Sequence, residues 1–133
     1  MPELDPSHPS RGRILVADDE PHIRRILATM LETAGFDVNP AEDGSRALEA
    51  LTSDESYRMA LLDIMMPGLT GLEILERVRN LPHRKNLPVV ILTAKGQDTD
   101  REAAFALGAD EFVTKPFSPK KLLARIQDLL DPA

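Results

Sequence analysis

Residues 59–81 have the sequence MALLDIMMPGLTGLEILERVRNL, which joins a short apolar run to a turn and then to a segment with helical spacing. The first five residues predict a buried strand, and the Pro67–Gly68 pair is typical of a turn. The spacing of the leucines and the valine in TGLEILERVRNL predicts a helix over 70–81 with one apolar face. This unit therefore places a single carboxylate, Asp63, at the carboxyl end of a strand that is otherwise apolar.

Five such strand and helix pairs follow one another along the chain. Strands are predicted at 13–17, 36–41, 59–63, 87–94 and 111–115, and helices at 20–35, 44–53, 70–81, 99–108 and 118–130. Strands joined through helices run parallel, and strands that are apolar throughout are typical of a sheet covered on both faces. The sequence therefore predicts an α/β fold of the flavodoxin-like, doubly wound (βα)5 type, with a parallel five-stranded sheet of order 2-1-3-4-5. Pro40 cannot donate a ladder hydrogen bond, which agrees with an edge position for the second strand.

Length and composition indicate one globular domain. A chain of 133 residues has the usual size of a single domain, and 42% hydrophobic residues are enough to form a core. The net charge of −6 gives no general reason for direct binding to nucleic acid, and the absence of cysteine excludes disulfides and thiolate metal sites. The sequence contains no apolar run of membrane-spanning length and no signal peptide core, so a cytoplasmic protein without a membrane partner is expected.

The first twelve residues differ in composition from the rest. MPELDPSHPSRG contains three prolines and almost no apolar side chain. Because such a segment cannot contribute to a core, we expect a flexible leader over 1–12 and a folded domain over 13–131.

Polar and charged side chains follow four of the predicted strands. They are Asp18, Asp19 and Glu20 after the first strand, Asp63 at the end of the third, Thr93 and Lys95 at the end of the fourth, and Lys115 at the end of the fifth. Because these strands are neighbours in the predicted order, their carboxyl ends meet at one edge of the sheet. Each residue alone also has an ordinary interpretation as a helix cap, a turn residue or a solvated side chain.

Taken together, these residues indicate a site for phosphoryl chemistry. Carboxylates that converge repel one another unless a cation neutralises them, and hard oxygen ligands suit Mg²⁺. A carboxylate beside Mg²⁺ can attack a phosphoryl group as a nucleophile. The oxygens of the transferring group need positive charge and hydrogen-bond donors, which the metal, Lys115 and the Thr93 hydroxyl would supply.

The sequence resembles the receiver domains of two-component response regulators over about residues 13–131. The resemblance depends on ILVADDE, LLDIMMPGLTGLEIL, PVVILTA and GADEFVTKPFSPKKLLARI, which occur in the family's order and spacing. It implies that Asp63 is the phosphoacceptor and also a metal ligand. It further implies that Asp19 is a direct Mg²⁺ ligand, that Asp18 helps to hold the ion largely through water, and that Met65 contributes its backbone carbonyl.

The resemblance also implies roles for residues around the phosphoacceptor. Thr93 and Lys115 would contact the phosphoryl group, and the bond from this lysine to the following proline is expected to be cis. Phosphorylation would draw Thr93 toward the phosphoryl group and let Phe112 turn inward, which would change the face formed by the fourth helix, fifth strand and fifth helix. Met65 and Lys95 flank the site and would tune the lifetime of the phosphoryl group.

The partner implied by the resemblance is a sensor histidine kinase or a phosphotransfer protein. The domain would be a phosphoacceptor in signalling that promotes only its own phosphorylation and dephosphorylation, rather than an enzyme. The segment KPFSPKKLLARI resembles receivers that precede winged-helix DNA-binding domains and dimerise through the fourth helix, fifth strand and fifth helix. A homodimer through that face is therefore one expectation, and whether the receiver acts alone or within a longer regulator stays open.

Three alternative functions fit the sequence less well. Phosphatases with an aspartyl nucleophile typically carry an acid two residues after it, where this chain has Met65. Phosphorylation-independent receivers usually lack one of the acids or the lysine, all of which are present here. A flavin-binding domain of the same fold would need a phosphate-binding loop after the first strand, but this loop is acidic.

Overall fold

The computed structural model describes residues 10–94 and 98–131, and over these ranges five strands alternate with five helices. The strands are β1 (Arg13–Ala17), β2 (Asp37–Ala41), β3 (Tyr57–Asp63), β4 (Val89–Thr93) and β5 (Glu111–Thr114). The helices are α1 (Pro21–Thr33), α2 (Gly44–Ser53), α3 (Gly71–Arg79), α4 (Asp98–Ala106) and α5 (Pro119–Leu130). The order and type of the predicted elements are therefore confirmed.

The strands form one parallel sheet in the order β2-β1-β3-β4-β5. This is the predicted flavodoxin-like order, so the fold class is confirmed. Pro40 lies in β2 at the edge of the sheet, opposite Val16 of β1. The edge position removes the need for a ladder donor on the outer side of that strand.

Both faces of the sheet are apolar and covered by helices. On one face, Leu15 and Leu62 belong to a buried cluster that includes residues of α2, α3 and α4. On the other face, Ile14 and Leu61 pack in a cluster with residues of α1 and α5. Neighbouring strand residues thus enter opposite cores, which explains the lack of alternation in the sequence. Within the described ranges, no helix has the length and apolar character needed to cross a membrane.

The ends of several elements differ from the predicted ends. β3 begins at Tyr57, two residues earlier than predicted, because this side chain is buried at 3% exposure and lies opposite Arg13 of β1. α4 ends at Ala106 rather than at the predicted residue 108, since Gly108 has a φ of 98°, outside the right-handed helical region. Residues 1–9 of the predicted leader lie outside the described residues, whereas the Arg11 N–H donates to the Gly35 carbonyl at 2.9 Å.

Candidate functional site

Four residues from the sequence analysis lie at the carboxyl edge of the sheet. Asp18 directly follows β1, Asp63 ends β3, Thr93 ends β4 and Lys115 directly follows β5. Asp18, Asp63 and Thr93 are 0%, 3% and 1% exposed, and the Lys115 side chain is 8% exposed. Charged groups this deeply buried are costly unless they have partners, so their contacts decide what the site can do.

Lys115 joins the two buried carboxylates. Its Nζ donates to Asp18 Oδ2 at 2.7 Å and to Asp63 Oδ2 at 3.2 Å. Its main-chain N–H donates to the Thr93 carbonyl at 2.8 Å. The bond to the following Pro116 is cis, as expected from the sequence. The lysine is therefore fixed between β4 and the acids of β1 and β3.

The turn after β3 holds the carboxylate of Asp63. The Met65 N–H donates to Asp63 Oδ1 at 3.3 Å, and the Gly71 N–H donates to the Ile64 carbonyl at 3.1 Å. A Cβ at Gly71 would lie 2.4 Å from the carbonyl oxygen of Asp63, so the close approach of α3 to this strand end requires glycine. Thr70 caps the same helix by accepting from the Glu73 N–H at 3.2 Å. The turn and the start of α3 together fix the backbone of Asp63.

Asp18 is anchored by its main chain and by its side chain. Its N–H donates to the Ala41 carbonyl at 3.2 Å, and its own carbonyl accepts from Arg24 Nη1 at 2.6 Å. Its Oδ1 accepts from the Glu20 N–H at 2.9 Å, while its Oδ2 accepts from Lys115. Both carboxylate oxygens of this buried acid therefore already have a protein donor.

Asp18, Asp19 and Asp63 form an acidic cluster. Each presents a carboxylate oxygen, and these oxygens lie within 4.8 Å of one another. Asp19 is exposed, whereas the other two acids are buried. The Lys115 ammonium bonds to two of the three carboxylates, so the cluster keeps an excess of negative charge. Hard oxygen donors, this charge and one accessible acid fit Mg²⁺, which binds through a few carboxylates and retains several waters.

Electrostatics at the site disfavour ionisation of Asp63. Burial raises the pKa of this carboxyl from 3.8 to about 6, and the charge of Asp18 adds to the rise. Lys115 and the Met65 N–H act in the opposite direction without cancelling it. Burial alone would lower the pKa of Lys115, but its bonds and attraction to the two acids outweigh that effect and raise it. The lysine is thus charged, and the carboxylate gains from any further cation.

The other residues named in the sequence analysis have different environments. Phe112 lies in β5 opposite Ile91 and is 6% exposed, whereas Met65 is 66% exposed. Lys95 lies outside the described residues. Arg24 was not singled out in the sequence, because a basic residue in a helix is common and only its contact with Asp18 marks it.

Comparison with known proteins extends over most of the chain. The family model of the response regulator receiver domain matches residues 14–127. The transcriptional regulatory protein CpxR homolog of Haemophilus influenzae is 44% identical over 119 residues, which cover 90% of this chain and 50% of that protein. The chain spans about half the length of the curated relatives that it matches.

Solved structures give the same result. A CheY-like response regulator receiver domain protein from Methanospirillum hungatei JF-1 has a TM-score of 0.85 and 30% identity, covering 92% of this chain and 95% of that chain. The BeF3-activated DrrB receiver domain has a TM-score of 0.81 and 31% identity, covering 90% and 97%. Asp18, Asp63 and Lys115 all lie within the matched family range. The chain therefore belongs to the family of response regulator receiver domains, which are signalling domains of two-component systems.

Proposed function

We propose that Asp63 of this receiver domain accepts a phosphoryl group from a sensor histidine kinase or a histidine phosphotransfer protein in an Mg²⁺-dependent reaction. The observation that carries the proposal is the buried Asp63 carboxylate, which bonds to Lys115 and lies within a cluster of three acids. Buried acids that repel one another weaken a fold, and perturbed carboxyls of this kind are concentrated at functional sites. The arrangement therefore favours a nucleophile over a structural ion pair.

The transfer would begin with attack of an ionised Asp63 oxygen on the phosphorus of a phosphohistidine. The new O–P bond forms as the P–N bond breaks, and the electron pair of that bond leaves with the imidazole nitrogen, which takes up a proton from water. The products are an aspartyl phosphate and histidine. Lys115 Nζ, 3.2 Å from Asp63 Oδ2, would donate to a phosphoryl oxygen. The Thr93 hydroxyl, at the same edge, would be a second donor.

Asp18, Asp19 and Asp63, with the Met65 carbonyl, would hold Mg²⁺. The ion when bound supplies positive charge that offsets the carboxylates and the phosphoryl oxygens. Both oxygens of Asp18 already accept from protein donors, which supports contact between this residue and the ion through water. Asp19 is exposed, which supports direct ligation.

We infer that phosphorylation would be transmitted through Phe112 to the face of α4, β5 and α5. A groove of about 300 Å³ on this side is lined by residues of β5, α5 and the loop between them, among them Phe112, Phe117 and Leu122. The Phe112 ring is buried, and an inward ring is the position that the resemblance implies for the phosphorylated domain. Phosphorylation would therefore increase the population of a conformation that the chain can already adopt. A second copy of the chain on this face is one of the partners for which the sequence leaves room.

The direct test uses acetyl phosphate or the cognate kinase, with and without Mg²⁺, followed by intact mass measurement. The wild-type chain is expected to gain one alkali-labile phosphoryl group only with Mg²⁺, and Asp63→Asn is expected to gain none. Asp128→Asn is the matched control, because this acid is exposed on α5 and away from the cluster. An adduct of the same lability on Asp63→Asn would refute the assignment of the phosphoacceptor.

A further inference from the structure

The guanidinium of Arg24 contacts the peptide that connects two of the cluster acids. Its Nη1 donates to the carbonyl oxygen of Asp18 at 2.6 Å. That carbonyl belongs to the peptide unit between Asp18 and Asp19. The bond therefore restrains the orientation of the main chain from which the Asp19 side chain projects. A hydrogen bond from a charged donor to a carbonyl is stronger than a neutral one.

The helix that carries Arg24 directs its side chain toward this peptide. The Arg24 N–H donates to the Glu20 carbonyl at 3.1 Å, which places the residue in the first turns of α1. Side chains of a helix tilt toward its amino terminus, and here that direction leads back to the loop after β1. The contact is therefore built into the start of the helix.

Two of the three acids near Arg24 have Arg46 as a partner. A cavity of about 450 Å³ is lined by Asp19, Arg24, Glu42 and Asp43 together with two prolines, and Arg24 is the one cation among these described lining residues. Glu42 pairs with the Arg46 guanidinium at 3.2 Å, and Asp43 accepts from the Arg46 N–H at 2.9 Å. Arg46 thus offsets part of the negative charge of the loop before α2, while the Arg24 guanidinium bonds to the Asp18 carbonyl.

We propose that Arg24 is a positioning residue for the metal site, which holds the Asp18–Asp19 peptide so that the exposed Asp19 carboxylate stays turned toward Asp63. This inference rests on the proposed Mg²⁺-dependent function of the same site. If Arg24 acted only through its charge, it would oppose Mg²⁺ binding, because a guanidinium near a divalent cation repels it. Removal of the side chain therefore tightens Mg²⁺ binding if charge dominates and weakens it if positioning dominates.

The test is a Mg²⁺ titration of the full chain, followed by calorimetry or by NMR amide shifts, for wild type, Arg24→Ala, Arg24→Gln and Arg25→Ala. Arg24→Ala is expected to weaken Mg²⁺ binding by about 10- to 100-fold, the usual effect of losing a residue that orients metal ligands. Arg24→Gln removes the charge but keeps an N–H donor and is expected to lose less. Arg25→Ala removes the same charge from the adjacent, exposed position of α1 and is expected to bind as wild type does.

Phosphorylation by acetyl phosphate gives a second measurement. The Arg24→Ala rate is expected to recover at saturating Mg²⁺, because the nucleophile Asp63 and the donor Lys115 are unchanged, whereas general damage to the site would leave it low. Unfolding measured in EDTA shows which variants are folded. If Arg24→Ala is not folded, Arg24→Gln takes its place in the comparison with wild type. Mg²⁺ binding by Arg24→Ala that equals or exceeds wild-type binding would overturn the inference. Absence of Mg²⁺ binding by the wild-type chain would instead refute the proposed function.

Discussion

The two ends of the sheet both bury charge, but they satisfy it differently. At the amino end, Arg84 is 6% exposed and donates to the carbonyls of Leu51, Asp54 and Tyr57, where α2 ends and β3 begins. At the carboxyl end, Asp18 and Asp63 are equally buried but share the Lys115 ammonium. One buried cation therefore has three acceptors, whereas two buried anions share one cation.

This difference separates a structural use of charge from the functional use that we propose for the acidic cluster. Arg84 supplies donors to carbonyls near the end of α2 that the helix itself leaves without partners, so it stabilises the fold. The protein's own groups do not cancel the repulsion between the carboxylates around Asp63. Burial and the charge of Asp18 therefore raise the pKa of this carboxyl. A bound cation would relieve that repulsion, and so a cation at this site is expected to stabilise the folded chain.

The largest effect on stability is expected at the amino end. Arg84→Met is expected to lower the free energy of unfolding by about 3 kcal/mol, because three carbonyls lose their donor. Urea denaturation measures the change, and Lys85→Met, at the exposed neighbouring position, is the control. A loss no larger than that of the control would mean that the Arg84 contacts are not structural.

Addition of Mg²⁺ is expected to have the next largest effect, and it acts at the carboxyl end. A free Mg²⁺ concentration about 100-fold above the dissociation constant should raise the free energy of unfolding by about 2.7 kcal/mol, if the ion binds the folded chain at the proposed site and not the unfolded chain. Asp19→Asn should lose most of this increment, whereas Arg84→Met should retain it, because among the described residues the bonds of Arg84 and those of Lys115 go to different acceptors. Loss of the increment in Arg84→Met would show that the two ends are coupled.

Relief of repulsion without a metal is expected to have a smaller effect. Asp63→Asn in EDTA should gain about 1 kcal/mol of stability at pH 7. The folded protein raises the pKa of Asp63 from 3.8 to about 6, so the wild-type chain binds more protons when folded and loses stability as pH rises through this range. The gain should therefore disappear below pH 3.8, where the carboxyl is protonated in both states. Urea denaturation of both proteins across this pH range measures the gain in stability of Asp63→Asn. A gain that does not depend on pH would contradict the prediction.

The smallest effect is expected for the surface acid at the amino end. Bonds from Ser56 and the charge of Arg13 hold the pKa of Asp54 below its usual value of 3.8. This carboxylate therefore contributes stability above pH 3.8, and the contribution is lost as pH falls through the lowered pKa. Asp54→Asn should slightly lower the melting temperature at neutral pH and have no effect in strong acid. A difference in melting temperature between Asp54→Asn and wild type that grows as the pH falls would contradict this expectation.

Much of the fold was predictable because its signals are local. Apolar runs such as MALLD and the helical spacing after Gly71 identify strands and helices from residues that are close in sequence. The candidate acids and Lys115 were found because parallel strands place their carboxyl ends together. Tyr57 was missed as the start of β3 because its burial depends on packing against β1, which the local pattern does not contain.

By itself, the sequence determined the order of strands and helices, the fold class, and the three acids and the lysine that meet at the carboxyl edge of the sheet, because periodicity and position at a strand end are properties of neighbouring residues. The tertiary structure decided which groups are partners. Lys115 lies closer to Asp18 than to Asp63, although 97 residues separate it from the first of these acids. Arg24 and Arg84 gain their roles in the same way, since their acceptors are main-chain carbonyls whose positions depend on the packed fold. Hydrogen bonds and burial depend on distances across the fold, and only the folded chain fixes those distances.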